Sequence, residues 1–173
     1  KALTPNNPGL LNPFNGLKIL NSRKFGMREF ELHDAWRTLS TDMKPNMAIT
    51  LGMGLSTSAA QLNRDATHFF NIIQRKAWGP RWTDHPQRHL IRAIGFHEHP
   101  DSNRHVHIAM RAPYAIAERL VLDGCRLWKS IRPAGDYYAK RVEDMERYGS
   151  YITKDAWSRA SQDDIFIYAS PER

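Results

Sequence analysis

Apolar residues recur along this chain at spacings that distinguish predicted helices from predicted strands. Spacings of three and four residues are typical of amphipathic helices, whereas short apolar runs between turn residues are typical of strands. The clearest helix covers 56–78, where the apolar residues from Leu62 to Ile73 share one face and Gly79-Pro80 ends the pattern. The other predicted helices are 28–39, 113–129 and 143–154, and the predicted strands are 46–53, 89–99, 105–111, 136–142 and 164–169.

The order of the predicted elements indicates the fold class. From residue 46 onward it is strand, helix, strand, strand, helix, strand, helix, strand, and the turn sequence of 100–104 joins the middle two strands as a hairpin. Two βαβ-like halves around a hairpin predict an α+β fold, with an antiparallel or mixed sheet and helices mainly on one face. We divide the chain into 1–45, a Pro-, Asn- and Gly-rich arm with a short helix, and 46–173, the main domain.

Size and charge narrow the classes of function. The 173 residues are the size of one domain, and a hydrophobic fraction of 41% argues against wholesale disorder. The net charge of +7 indicates a polyanionic partner, nucleic acid first and an anionic membrane surface second, although simple solubility also explains such a charge. A single cysteine, Cys125, excludes an internal disulfide framework and favours a reducing compartment, so we expect a cytoplasmic protein. The lack of any apolar run of about 18 residues predicts no membrane span.

The tripeptide His105-Val106-His107 lies in a predicted strand and is a candidate metal site. Because side chains alternate between the two faces of a strand, both imidazoles point the same way and Val106 points into the core. Two such imidazoles can chelate one divalent ion. By itself the tripeptide fits a pair of surface or stacked histidines better than a metal site, so a third ligand decides the interpretation.

Candidates for the third ligand stand across the hairpin, at His97, Glu98 and His99. A hairpin loop of even length places Glu98 opposite His107, whereas a loop of odd length turns His97 and His99 to the metal side. Strict alternation favours the two histidines, because the apolar residues of the strand then join the core. A β-bulge would restore Glu98, so the third ligand stays open at this point.

The predicted helix 143–154 carries a candidate nucleophile, Tyr151. Tyr148 shares a predicted buried stripe with Met145 and Ile152, which indicates a core aromatic, whereas Tyr151 lies beside that stripe. Arg147 is four residues before Tyr151 and Lys154 is three residues after it, so both cations flank the phenol on a helix. Two cations stabilise a phenolate and can hold a phosphate oxygen, which a phenol with a pKa of about 10 needs in order to react.

A basic and aromatic segment at 75–92 is a candidate nucleic-acid surface. Cations with an interleaved indole suit a phosphate track on which bases stack. The alternative is a solvated loop whose tryptophans pack on the core. With the cation of the tyrosine helix, the candidate DNA-binding residues are Arg75, Lys76, Arg81, Trp82, Arg88 and Arg147.

A His-x-His strand, an acidic residue just before it and a later Tyr-x-x-Lys helix together resemble the HUH endonucleases. The likeness covers about 46–155 and is greatest to the rolling-circle replication initiators (Rep proteins). The resemblance implies a ferredoxin-like or RRM-like antiparallel sheet. It also implies Mn²⁺ or Mg²⁺ bound by His105, His107 and Glu98, with Tyr151 as nucleophile and Lys154 as its electrostatic helper.

The activity that the resemblance implies is metal-dependent, sequence-specific nicking and joining of single-stranded DNA through a 5′-phosphotyrosine intermediate, which initiates rolling-circle replication. The expected substrate is single-stranded or hairpin origin DNA, and a host or fused helicase is a further expected partner. A second tyrosine at Tyr148 leaves a two-tyrosine subtype open. The alternatives are a single-tyrosine transposase or relaxase of the same chemistry, a non-catalytic RRM-like nucleic-acid-binding module, and a metal enzyme acting on small molecules, which the basic charge disfavours.

Overall fold

The structure is a computed structural model that describes residues 29–54, 58–86, 89–99, 103–154 and 164–169. All nine predicted helices and strands are present in these ranges, with ends that differ from the predicted ones by a few residues. No helix among them combines the length and the apolar character that crossing a bilayer requires. The elements are α1 (Glu29–Asp42), β1 (Met47–Gly52), α2 (Ala59–Trp78), β2 (Arg92–Glu98), β3 (His105–Arg111), α3 (Tyr114–Ile131), β4 (Tyr137–Arg141), α4 (Met145–Ile152) and β5 (Ile165–Ala169).

The five strands form one antiparallel sheet in the order β4-β1-β3-β2-β5. The elements from β1 to β4 follow one another as βαββαβ, which is the ferredoxin-like arrangement, and β5 adds an edge strand beside β2. The predicted α+β class and the antiparallel sheet are therefore confirmed. The histidine strand β3 is the central strand, so its side chains have neighbours on both sides.

The larger hydrophobic core lies between one face of the sheet, which we call the helix face, and the helices α2 and α3. Every second residue of β1, namely Met47, Ile49 and Leu51, points to this side and is buried. Phe69 of α2 packs edge-on against Trp128 of α3, with ring centroids 5.7 Å apart. The two long helices thus share one face of the sheet, as the sequence predicts.

The opposite face, which we call the site face, is covered in part by α1 and α4. Trp36 of α1 packs edge-on against Phe96 of β2 with ring centroids 5.8 Å apart, and Ile152 of α4 is buried in the same cluster. A Cβ built on Gly149 of α4 would come within 3.0 Å of Cγ2 of Thr41 in α1, so the two helices approach closely. The helix that we grouped with the N-terminal arm therefore packs on the sheet and helps to hold the tyrosine helix.

Capping residues explain where the helices begin and end. Ser58 caps α2 by accepting a hydrogen bond from the amide of Gln61, and Gly79, with a φ of 83°, ends the helix in the left-handed region. Asp144 caps α4 in the same way, with its carboxylate 2.9 Å from the amide of Arg147. Short local signals in the sequence therefore set the start of the helix that carries the two candidate tyrosines.

Candidate metal centre and tyrosine helix

The register of the hairpin decides which acidic or histidine side chain faces His105 and His107. β2 and β3 pair Glu98 with His105, which leaves the even number of residues 99–104 between the paired positions. Glu98 is therefore on the site face with both histidines, opposite His105 and not opposite His107. The odd-length register that strict alternation favoured is wrong.

The physical reason for this error is that both faces of β2 are buried. Ile94 and Phe96 point to the site face, where Trp36 and Ile152 cover them, and so they need no place in the larger core. Alternation identifies the buried face of a strand only when the other face is exposed. The sequence alone does not show that the face of β2 that carries Ile94, Phe96 and Glu98 is buried as well.

His97 and His99, the competing candidates, take other positions. His97 points to the helix face, where its Nε2 lies 2.8 Å from Oδ1 of Asn63 in α2. His99 follows the strand with a φ of 51° and is exposed, with its ring 5.3 Å from that of His105. The structure thus brings Glu98, and not His97, to the paired imidazoles.

Glu98, His105 and His107 form a compact cluster of metal-ligand type. Oε2 of Glu98 lies 3.3 Å from Nε2 of His107 and 3.5 Å from Nε2 of His105. One ligand atom from each residue lies within 4.8 Å of the others, so the three side chains could hold one metal ion. Imidazoles and carboxylates are both ligands of divalent metal ions in proteins.

The carboxylate of Glu98 is only 6% exposed, so its charge requires compensation. Its Oε1 accepts no hydrogen bond from the described residues, and Nζ of Lys154 lies 3.4 Å from it. A buried carboxylate whose second oxygen has an ion pair but no hydrogen bond fits a cation-binding role. The chemistry of the residues present therefore agrees with a divalent metal ion.

Hydrogen bonds to the outer ring nitrogens orient both imidazoles. Nδ1 of His105 lies 2.9 Å from the carbonyl oxygen of Asn103, which can only accept, so Nδ1 is the donor and a neutral ring of this tautomer presents the lone pair of Nε2 to a metal ion. Nδ1 of His107 lies 2.9 Å from Oγ1 of Thr50 in β1, and this hydroxyl oxygen can accept a hydrogen bond from Nδ1. Outer partners of this kind orient metal-binding histidines and raise their basicity.

Burial controls the protonation of His107. Desolvation of the partly buried ring lowers the pKa of His107 below its ordinary value, and the nearby Glu98 carboxylate opposes this effect. Because only the neutral imidazole binds a metal ion, the lowered pKa of His107 favours the ligand form at neutral pH.

Tyr151 lies directly beside this cluster. Its ring packs edge-on against that of His107, with centroids 5.3 Å apart, and Nζ of Lys154 lies 4.7 Å from the Tyr151 ring centroid. Tyr151 is 46% exposed, so its hydroxyl can be reached by a large substrate. Lys154 contacts both Glu98 and Tyr151 and joins the metal cluster to the phenol in one arrangement.

Tyr148 has a different environment on the same helix. Its hydroxyl donates a hydrogen bond to the carbonyl oxygen of Ile108 at 3.1 Å, and burial raises the pKa of Tyr148 above its ordinary value. Its ring is stacked on that of Tyr151 with centroids 6.3 Å apart. A phenol that is already hydrogen-bonded and harder to ionise is a packing residue, as its helical phase predicts.

The buried side of the tyrosine helix differs in part from the predicted stripe. Met145, expected in the buried stripe, is 42% exposed. Its neighbours from 143 to 147, around the start of α4, are exposed as well. Gly149 and Ile152 supply the buried side of the helix instead. Arg147 is among the exposed residues, so its guanidinium lies in solvent at the start of α4.

The residues of the candidate basic surface are mostly exposed cations. Arg75 and Lys76 lie in the last turn of α2, and Arg81 follows in the next loop; all three are exposed. Trp82 is only 9% exposed, so of the two interpretations of this indole, packing in the interior agrees with the structure and an open stacking surface does not. Arg88 lies outside the described residues.

This basic surface is not part of the metal centre. Gln74, which precedes Arg75 in α2, accepts a hydrogen bond from the amide of Ile91 just before β2, so the end of α2 lies near the start of that strand. Glu98 is the last residue of β2. A strand of this length spans about 20 Å at ~3.3 Å per residue. The cations at the end of α2 therefore lie on the helix face and at the far end of the sheet.

Sequence reasoning missed Thr50 and Asn103, the two partners of the outer ring nitrogens. Thr50 could have been noticed, because it is a polar residue within the apolar run of β1. The contact of Asn103 is made by its backbone carbonyl, for which the residue type gives no signal.

Comparisons with family models, with curated proteins and with solved structures found no match to this chain. Its function therefore has to be inferred from the site itself.

Proposed function

We propose that this chain is a metal-dependent endonuclease and strand transferase of the HUH type, which nicks and joins single-stranded DNA with Tyr151 as nucleophile. The observation that carries the proposal is the contact between the rings of Tyr151 and His107, with centroids 5.3 Å apart, beside the Glu98, His105 and His107 cluster. A phenol and a metal-ligand cluster at this separation can act on the same phosphate group. The net charge of +7 supports a polyanionic substrate.

In the proposed reaction, Glu98, His105 and His107 hold Mn²⁺ or Mg²⁺. Such an ion draws electron density from a phosphodiester and makes its phosphorus more electrophilic. Tyr151 forms the new bond from its oxygen to phosphorus and loses its phenol proton to solvent. The bond from phosphorus to the 3′-oxygen breaks, and that oxygen takes up a proton to become a free 3′-OH. The product is a 5′-phosphotyrosine link.

The role of Lys154 in this scheme is electrostatic. Its ammonium lies over the Tyr151 ring and near Glu98, and so it can stabilise the negative charge on the phosphate during the attack. Because the energy of the broken phosphodiester is retained in the phosphotyrosine bond, attack by a 3′-OH can rejoin the strand without ATP.

Initiation of rolling-circle replication at single-stranded or hairpin origin DNA, with a host or fused helicase, is our first choice within this class. A single-tyrosine transposase or a relaxase would form the same adduct on different DNA. The candidate from another class is a non-catalytic RRM-like module, which the exposed cations and the ferredoxin-like sheet also support. Such a module would bind DNA and would form no covalent product.

The test uses a pool of random-sequence single-stranded DNA labelled at the 3′ end, so that no origin sequence has to be known. With Mn²⁺, the wild-type chain should give a labelled band that survives SDS, and EDTA should abolish it. His107→Ala and Tyr151→Phe should each lose the band, whereas Tyr114→Phe, at an exposed tyrosine of α3, should keep it. Salt-sensitive binding with no SDS-resistant product would favour the non-catalytic module.

A further inference from the structure

A third tyrosine, Tyr138, is exposed on the site face. The neighbouring Tyr137 points to the helix face, where its ring packs on Phe69 and its hydroxyl donates a hydrogen bond to the carbonyl oxygen of Leu120. Because side chains alternate along β4, Tyr138 points to the opposite side, and it is 57% exposed. Core packing explains Tyr137 and gives no reason for a large aromatic side chain at Tyr138.

Tyr138 stands in a direct row with the metal cluster. Strand pairing aligns Tyr138 with Thr50 of β1, and Thr50 with His107 of β3. Neighbouring strands lie about 4.8 Å apart, so the backbones at Tyr138 and His107 are separated by about 10 Å. A stacked single strand advances ~3.4 Å per nucleotide, so this separation corresponds to at most about three nucleotides.

The charged residues of β4 indicate the direction in which a bound DNA strand runs from His107. Lys140 is exposed and lies two residues from Tyr138, on the same side of the strand. Asp136 is exposed at the other end, next to Gly52, which is paired with His105. Phosphate groups are attracted by Lys140 and repelled by Asp136, so a strand held at His107 is expected to continue past Tyr138 towards Lys140.

Resting on the proposed function, we infer that Tyr138 is a stacking platform for a base of the single-stranded DNA within about three nucleotides of the phosphate attacked by Tyr151. Exposed aromatic side chains on a sheet bind the faces of unstacked bases in this manner. Lys140 contacts a backbone phosphate on the same path. The surface formed by Tyr138 and Lys140 thus holds the strand on the site face and delivers the phosphate to the metal cluster.

The experiment measures binding of fluorescent oligothymidine by anisotropy, with every variant made in the Tyr151→Phe background so that no nick occurs. Tyr138→Ala should weaken binding by about 5- to 150-fold, the range for loss of one stacked base. Tyr138→Phe retains the ring and should bind within about twofold of the parent. Tyr114→Ala, which removes a tyrosine of α3 that is 65% exposed, should leave the affinity unchanged.

Salt dependence tests the contribution of Lys140. Lys140→Gln should reduce the slope of log affinity against log salt by about 0.7, because one contact with a phosphate of a single strand is lost. Equal affinity of Tyr138→Ala and its parent would overturn the inference, as would an equal loss in Tyr114→Ala. The SDS-resistant adduct of the wild-type chain tests the proposed function separately. If Tyr138→Ala loses affinity and the wild-type chain forms no adduct, Tyr138 binds DNA as inferred and the proposed nuclease activity is rejected.

Discussion

Oγ1 of Thr50 lies 2.9 Å from Nδ1 of His107, so a hydroxyl on β1 orients the imidazole of β3 that contacts Tyr151 of α4. When Nδ1 donates its hydrogen bond to Thr50, Nε2 of a neutral His107 ring is left to bind a metal ion beside Glu98. The geometry of the proposed centre therefore depends on a residue that does not itself touch the ion.

Replacing this hydroxyl by a methyl group should weaken metal binding. Thr50→Val keeps the shape of the side chain and removes the partner of Nδ1, so Mn²⁺ affinity measured by titration calorimetry should fall about 10- to 100-fold. Thr50→Ser keeps the hydroxyl and is the matched control, with near-wild-type affinity expected. Equal affinities for the valine and serine variants would show that the hydrogen bond does not orient His107.

The close contact between α1 and α4 should position the nucleophile. In Gly149→Ala, the new Cβ would meet Cγ2 of Thr41 at 3.0 Å, so α4 has to move by a few tenths of an ångström, and Tyr151 moves with it. Since about 1 Å of misplacement can cost 100-fold in rate, we expect adduct formation to slow about three- to tenfold. The free energy of unfolding should be affected less than the rate, because alanine favours a helix more than glycine does.

The chain offers a rescue for this variant. Thr41→Ser removes Cγ2 and keeps the hydroxyl, which donates hydrogen bonds to the carbonyl oxygens of Arg37 and Thr38. In the double variant with Gly149→Ala, the rate of adduct formation should return to that of Thr41→Ser alone. A slow double variant would mean that the contact between the two helices does not set the position of Tyr151.

His97 should make the fold sensitive to acid. Burial lowers the pKa of His97 from 6.5 to about 4. In the unfolded chain His97 takes up a proton near pH 6.5, and in the folded chain only near pH 4, so between these values protons favour the unfolded state. The free energy of unfolding should therefore fall, by up to about 3 kcal/mol, as the pH drops across this window.

Urea unfolding in EDTA at the two ends of the window measures this loss. His97→Gln cannot take up the proton, so its free energy of unfolding should change less between pH 6.5 and pH 4 than that of the wild-type chain. The same change in both proteins would assign the acid sensitivity to other groups.

The sequence predicted the elements and the fold class because their signals are local. Ser58, Gly79 and Asp144 act at helix ends through contacts with residues a few positions away in the sequence. The side of the helix on which Tyr148 or Tyr151 lies also depends only on spacing within that helix. The inward position of Tyr148 was therefore predictable.

The register of the hairpin and the position of the basic surface depend on distant parts of the chain. Phe96 could be assigned to the site face only by knowing that Trp36, sixty residues earlier in the chain, covers it. Charge identified Arg75 and Lys76 as exposed cations but could not place them at the far end of the sheet from Glu98. The burial of Trp82 likewise depends on tertiary packing and not on its neighbours in sequence.

The most direct test of the account is to identify the residue that becomes linked to DNA. After incubation with Mn²⁺ and single-stranded DNA, nuclease and trypsin digestion should give the peptide of residues 148–154, which contains both Tyr148 and Tyr151. Fragmentation in the mass spectrometer then assigns the attached phosphonucleotide to one of them. We predict that it is on Tyr151, in the wild-type chain and in Tyr148→Phe alike. A modification on Tyr148, or no covalent nucleotide on either tyrosine, would contradict the account.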